Sequence, residues 1–179
     1  MVEKAQYSVV RKLEGAEIRK YPEINLATVS GLSDDEAFSK LFRYISGSNQ
    51  ASAEIEMTAP VISNDPKSEK MPMTAPVISK RNSFSFVLPS NFKEGEVPVP
   101  IDNAIEIERI PPRHVAVMRF RGKAKTEQTQ EKTDELRLIL KYNDLPEAGG
   151  PFLMRYNPPI TPGFMRKNEV GIEVRFDLL

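Results

Sequence analysis

Few residue types in this chain could do chemistry, and the most conspicuous are two methionines in a repeated motif. The heptad Met-Thr-Ala-Pro-Val-Ile-Ser occurs at residues 57–63 and again at 73–79, so that Met57 and Met73 begin equivalent copies. A thioether fills gaps in a core and can also ligate a metal. Because side chains alternate along a strand, each methionine shares an apolar face with the alanine and valine of its copy. The pair could therefore belong to the core or line a ligand surface.

The other candidate metal ligand is His114, the single histidine of the chain. It follows Pro111 and Pro112 and opens an alternating apolar run. This context predicts an exposed turn position with a solvated or capping imidazole, and metal ligation is the alternative. One histidine excludes a multi-histidine zinc site and most histidine-based catalytic arrangements. The absence of cysteine excludes disulfides, thiolate metal sites and cysteine nucleophiles.

Charge and length limit the class of protein. With 25 basic and 25 acidic residues, the chain has no global field that would concentrate nucleic acid or an anionic membrane. It also lacks a helix-turn-helix pattern and any run of roughly 18 apolar residues, so we expect no nucleic-acid partner and no membrane insertion. No signal pattern opens the sequence, which favours a soluble, cytoplasmic protein. At 179 residues, 40% of them hydrophobic, a single domain over 1–179 is expected.

Two helices are predicted to position the candidate residues. The first begins at Ser33, which forms a capping box with Glu36, and it ends at Gly47. Lys40 and Arg43 lie towards its C-terminal end, by default on a solvated face. The apolar stripe of this helix consists of Phe38, Leu41, Phe42 and Ile45. The second helix is expected later in the chain, after a similar series of strands.

The strand patterns around the two helices repeat in the same order. Residues 17–22 are echoed by 106–111, and each segment is followed by an alternating apolar run, a glycine and a helix, the second helix at about 125–142. Further strand-like segments follow each helix, and the two heptads are interpreted as a hairpin after the first.

Joining two such halves would bury their apolar faces and reduce their open edges. We predict half-repeats at about 5–88 and 104–179, joined by a polar linker at 89–103. The predicted fold is α+β: a strongly twisted, mostly antiparallel sheet or barrel of eight or nine strands, flanked by two helices and built from two pseudo-twofold β-β-α-β-β halves.

The order and spacing of several motifs resemble the SOUL family, also called the haem-binding-protein family. Together the motifs span nearly the whole chain, and the doubled Met-Thr-Ala-Pro-Val is similar to what microbial and plant members show. The segments that carry the resemblance are 17–22, 47–50, 55–61, 84–90, 156–164 and 166–170. The resemblance implies a twisted barrel with two helices, a fold shared with the small-molecule-sensing domains of certain transcription regulators.

For function, the resemblance implies non-enzymatic binding of haem b or another tetrapyrrole in an apolar surface groove, for transport, buffering or sensing. Lys40 and Arg43 could meet the two propionates, and His114 is the candidate iron ligand. For each apolar residue of the groove the alternative is ordinary core packing. The candidate wall of the groove consists of Phe38, Leu41, Phe42, Ile45, Met57 and Met73.

One position departs from the family pattern. Thr161 stands where some members carry a lysine in the Tyr-Asx-Pro-Pro loop, which removes part of the expected propionate clamp. Arg166 and Lys167 could supply replacement charge, or they could tie this loop to the last strand.

Two other functions stay open from the sequence. One is a binding module for another planar or cationic apolar small molecule, in which Tyr156, Phe164 and Glu169 would form the pocket. The other is a hydrolase that uses Glu169 as a general base, although no nucleophile, base and orienting group stand at revealing spacing.

Overall fold

The computed structural model describes residues 3–51, 54–55, 57–63, 82–93, 95–157 and 160–176. In chain order, the strands in this part are β1 (Glu3–Lys4), β2 (Ser8–Leu13), β3 (Ala16–Tyr21), β4 (Ile24–Ser30), β5 (Thr58–Ser63), β6 (Ser83–Val87), β7 (Glu106–Ile110), β8 (Arg113–Arg121), β9 (Glu147–Arg155) and β10 (Lys167–Val174). The helices are α1 (Asp34–Ile45) and α2 (Thr126–Tyr142), and a 3₁₀ turn spans Gly163–Met165. Neither α1 nor α2 has the length and apolar composition needed to cross a membrane.

Nine strands form one antiparallel path in the order β2-β3-β8-β10-β9-β5-β6-β4-β7, and β1 adds a short parallel pairing to β5. The path does not close among the described strands, so the sheet is open and its edges are β2 and β7. From β3 to β7 the order is palindromic: exchanging β3 with β7, β4 with β8, β5 with β9 and β6 with β10 reproduces it. This confirms the predicted α+β fold with two pseudo-twofold halves.

The repeated heptad is only partly visible in this fold. Its first copy supplies β5, which lies at the centre of the palindrome between β9 and β6. The second copy at 73–79, with Met73, lies outside the described residues. The predicted hairpin between the two copies therefore stays a prediction.

Helix α1 forms where the capping signals predict it. The backbone N–H of Glu36 donates to Ser33 Oγ, and the backbone N–H of Ser33 donates to a Glu36 carboxylate oxygen, each at 3.3 Å. The helix ends at Ile45, and Gly47 follows with a φ of +116°, a value that favours glycine. Both ends are thus set by local hydrogen bonding and backbone freedom.

Strand alternation divides the apolar side chains between two faces of the sheet. On one face, Ala27 and Val29 of β4 pack under α1, and Ala116 and Met118 of β8 pack under α2. The other face carries a third buried cluster, which draws residues from both halves. Its members are Tyr21, Leu26, Ile62, Val87, Val115, Val117, Phe152 and Met154. The halves are therefore joined through the face that neither helix covers.

Gly171 of β10 is required by close packing on this joining face. It lies opposite Phe152 of β9, and a Cβ at this position would lie 2.7 Å from the Phe152 ring. We expect Gly171→Ala to lower the free energy of unfolding by about 1–3 kcal/mol, measured by urea denaturation, because the ring must move. Gly150→Ala in β9 is the matched control, since no atom lies within 4 Å of its Cβ position. Equal effects of the two substitutions would contradict the assigned packing.

Candidate functional site

The apolar stripe of α1 divides into core residues and surface residues. Leu41 is fully buried and Ile45 is nearly so, and both belong to the cluster between α1 and the sheet. Phe38 is half-buried, with its ring edge-on to Phe86 at 5.3 Å and stacked on Phe42 at 6.0 Å. Phe42 is 51% exposed. Two of the four wall residues predicted on α1 are therefore in the core, and the two phenylalanines reach the surface.

Partly buried apolar side chains of α1, β5 and the residue before β5 pack against one core cluster. Val61 of β5 lies directly opposite Phe86 of β6. The Phe86 ring in turn packs against the ring of Phe38. Met57, just before β5, is half-buried and packs against the same core cluster as Val61 and Phe38. We call the surface formed by Phe38, Phe42, Met57 and Val61 the α1 groove.

An arginine that sequence reasoning missed lies next to the first turn of α1, at one end of the α1 groove. Arg155 of β9 lies opposite Val61 in the ladder, so its side chain is on the face that α1 covers. Its Nη1 lies 2.9 Å from Asp34 Oδ2 in the first turn of α1. The only signal in the sequence was the position of Arg155 within a strand-like segment after the second helix. The pairing with Val61 could not be read from that position.

The two predicted propionate partners are three residues apart on α1, and both lie near Asp102. Lys40 Nζ lies 2.6 Å from Asp102 Oδ2, and the hydrogen bonds from Lys40 and from the Ala104 backbone lower the pKa of Asp102. Lys40 and Phe42 are two residues apart, so they lie on nearly opposite sides of the helix, and Lys40 is turned away from the α1 groove. Arg43 is exposed, with a 3.4 Å contact from Nη2 to Ser39 Oγ.

The predicted linker covers the flank of α1 that Lys40 occupies. The Tyr44 hydroxyl donates to the Pro98 carbonyl at 2.7 Å, and burial raises the pKa of Tyr44 to about 12. The Gln50 backbone N–H donates to the Val99 carbonyl at 2.8 Å. This segment therefore packs against the helix and leaves the α1 groove on the opposite flank.

His114 does not lie at an exposed turn, so that expectation is wrong. It is the second residue of β8, paired with Lys20 of β3, and its ring centroid lies 5.3 Å from that of Phe176. Its Nε2 is buried without a hydrogen-bond partner. The strand pairing explains the burial, because β8 lies inside the sheet between β3 and β10 and beneath α2. The imidazole therefore belongs to the α2 half, and the structure does not test the role as an iron ligand that the sequence suggested.

A buried ion pair occupies the face that joins the two halves. Arg19 of β3 is fully buried, and its Nη1 and Nη2 donate to the two carboxylate oxygens of Glu169 at 2.8 and 2.6 Å. Its Nε donates to Glu17 at 2.7 Å, and its guanidinium lies 3.9 Å from the centroid of the Tyr7 ring. The Tyr21 hydroxyl accepts a further bond at 3.0 Å.

Glu169 is saturated with hydrogen-bond donors. Besides Arg19, the Tyr156 hydroxyl donates to it at 2.5 Å and Arg119 Nε donates at 3.2 Å. Burial raises the pKa of Glu169, but the hydrogen bonds from Arg19 and Tyr156 outweigh burial and hold this pKa below its usual range. A general base needs an open carboxylate, and a cationic ligand would have to displace Arg19. Phe164, the third residue of the predicted alternative pocket, is 79% exposed on a loop.

The loop before β10 is held by hydrogen bonds. Arg166 Nε donates to the Thr161 carbonyl at 2.9 Å, and the Lys167 backbone N–H donates to Asn157 Oδ1 at 2.6 Å. Asn168 Nδ2 donates to the Gly122 carbonyl at 2.8 Å. These bonds support the interpretation that Arg166 and Lys167 tie the loop to the last strand.

A palindromic sheet with one helix over each half places the chain in a class of two-helix α+β folds. A hydrolase of known structure from Listeria innocua shares this fold, with a TM-score of 0.63, 12% identity, and coverage of 98% of this chain and 100% of that one. At this identity the likeness concerns the fold alone.

The chain belongs to the SOUL heme-binding protein family, whose sequence model matches residues 2–68 and 62–173. Heme-binding protein 1 of Xenopus laevis is 32% identical over 146 residues, which cover 79% of this chain and 73% of that protein. Heme-binding protein 1 of Sus scrofa is 29% identical over 137 residues, which cover 76% and 69%.

Proposed function

We propose that this protein binds haem or a related tetrapyrrole in the α1 groove and acts without catalysis, in transport, buffering or sensing. The observation that carries the proposal is the half-exposed Phe42 ring stacked on Phe38, beside the half-buried Met57 and Val61. Membership of the SOUL heme-binding protein family, and relatives named Heme-binding protein 1, support haem as the ligand.

The groove fits the chemistry of a tetrapyrrole. A porphyrin needs a flat apolar wall and a cation for its propionates, and burial of about 200 Å² of apolar surface contributes about 5 kcal/mol. Phe38, Phe42, Met57 and Val61 would supply this wall, and Arg155 at its end would meet a propionate. Haem would contribute its iron and its extended ring, and the protein would contribute an apolar surface that binds haem reversibly. Binding of this kind does not require an axial ligand.

Titration of the protein with hemin, followed by absorbance, tests the proposal. We expect a saturable Soret change near one equivalent and an affinity at least about tenfold weaker for Phe42→Ser, because an exposed aromatic wall residue is lost. Tyr142→Ser on α2 is the matched control, since Tyr142 is also an exposed aromatic residue on a helix. Spectra identical to those of an inert control protein, or equal losses in the two variants, would contradict the proposal.

Substitution of His114 distinguishes haem bound in the α1 groove from haem bound on the α2 half. His114 lies under α2, whereas the α1 groove lies over the other half, so we expect His114→Ala to leave the hemin affinity unchanged. A changed ligation spectrum together with weaker binding would instead assign the haem to a site on the α2 half.

A further inference from the structure

Three large apolar side chains are exposed on the loop between β9 and β10. Ile160 is 88% exposed and Phe164 is 79% exposed, and Met165 beside them is 51% exposed. Phe164 and Met165 lie in the 3₁₀ turn, which Arg166 holds through its bond to the Thr161 carbonyl. Ile160 and Phe164 therefore make little contact with the rest of the protein. They do not contribute to a described core cluster.

The turn between β8 and α2 lies against this loop. The Gly122 backbone N–H donates to the Arg166 carbonyl at 3.1 Å, and Lys167 pairs with Arg121 in the ladder. A Cβ placed on Gly163 would lie 2.6 Å from Lys123 Cγ, so the lysine stem packs directly on the 3₁₀ turn. The two segments therefore form one surface at this end of the sheet, which we call the β8–β10 tip.

The β8–β10 tip is strongly basic, although the whole chain has no net charge. Residues 121–126 and 160–167 contain no acidic residue. The acidic residues nearest to them in the sequence are Glu127, in the first turn of α2, and Glu169, which is buried and paired with Arg19. The basic residues of the tip are Arg121, Lys123, Lys125, Arg166 and Lys167.

We propose that the β8–β10 tip docks on an anionic lipid bilayer. Ile160 and Phe164 would enter the headgroup region, and the surrounding cations would contact anionic headgroups. Exposed apolar residues beside Lys and Arg are the combination that membrane-surface binding requires. Binding of single-stranded nucleic acid usually relies on several aromatic side chains that stack on bases, whereas residues 121–126 and 160–167 contain one, Phe164. An anionic bilayer offers an apolar environment for Ile160 and Phe164 and negative headgroups for the basic residues of the tip.

Sedimentation with vesicles, using protein without haem, tests this proposal. We expect binding to phosphatidylcholine vesicles that contain about 30 mol% phosphatidylserine and no binding to phosphatidylcholine alone, with release at about 0.5 M salt. Lys123→Glu/Lys125→Glu and, separately, Ile160→Ser/Phe164→Ser should each weaken binding about tenfold or more. Lys20→Glu and Tyr142→Ser, which alter exposed residues away from the tip, are the controls.

Absence of binding to anionic vesicles, or equal binding by the tip variants and the controls, would overturn the proposal. Binding of poly-glutamate or duplex DNA in place of vesicles would overturn it as well, and would assign the tip to an acidic macromolecule. Phe42→Ser should bind vesicles like the wild type, because the α1 groove takes no part. A failure of haem binding thus leaves this result intact.

Discussion

Replacing Arg19 with methionine is expected to lower the free energy of unfolding by about 3–5 kcal/mol, because Glu169 would remain as a buried carboxylate without its main partner. Arg19 is fully buried and makes a two-pronged pair with Glu169. The remaining cation near Glu169, Arg119, is 66% exposed at its side chain and is a weaker partner. Urea denaturation at about pH 7 measures the effect.

A double substitution separates the charge effect from lost packing. In Arg19→Met/Glu169→Leu both charges are removed, so most of the lost stability should return. Lys132→Met is the control, since Lys132 pairs with Glu135 on the surface of α2 and should cost less than about 0.5 kcal/mol. A loss below about 1 kcal/mol for Arg19→Met would show that the pair is not buried in solution.

The same pair predicts a pH dependence. The pKa of Glu169 in the folded protein lies below its ordinary value, so the stabilisation is present above the unfolded-state pKa of about 4.3. It is lost as the pH falls through the lower folded-state pKa. Glu169→Gln should therefore flatten the fall in unfolding free energy at acid pH. A profile as steep as that of the wild type would assign the acid sensitivity to other carboxylates.

Leu41→Ala should lower the free energy of unfolding by about 2–5 kcal/mol, because it leaves a cavity beneath α1. Leu41 is fully buried in the cluster that also contains Tyr44 and Phe86. Chemical denaturation checks the stability, and hemin titration of the folded variant checks the binding. We expect the hemin affinity to change little, because Leu41 does not line the α1 groove.

Phe42→Ser should show the reverse behaviour, with an unfolding free energy within about 1 kcal/mol of the wild type and weakened hemin binding. The two variants together separate the core from the ligand surface of one helix. A Leu41→Ala protein of unchanged stability that no longer binds hemin would contradict the assignment of Leu41 to the core.

Local patterns were sufficient for both helices and for the symmetry of the fold, but they did not predict β1 and β2 near the start of the chain. The capping box of Ser33 and Glu36 and the glycine at 47 set the ends of α1, and the structure confirms both. The repeated order of strands and helix predicted two halves, and the palindromic strand order confirms them. These features follow from hydrogen bonding and alternation over a few residues, which the sequence displays directly.

The same patterns could not predict which residues of the candidate site are buried and which are exposed. Phe38, Leu41, Phe42 and Ile45 share one stripe, and only the position of α1 over β4 and β6 decides that Leu41 is buried and Phe42 is half exposed. The placement of His114 was wrong for a related reason, since two prolines suggested a turn where β8 begins within the sheet. Burial depends on neighbours that periodicity does not reveal.

By itself, the sequence determined the two helices, the two-half organisation and the family motifs, because these depend on short-range spacing. The tertiary structure alone decided which charges are paired: Arg19 meets Glu169 across 150 residues, and Lys40 meets Asp102 across 62. It also brought Arg155 to the end of the α1 groove. Partners so distant in the chain are chosen by strand order and register, which are properties of the whole sheet rather than of any segment.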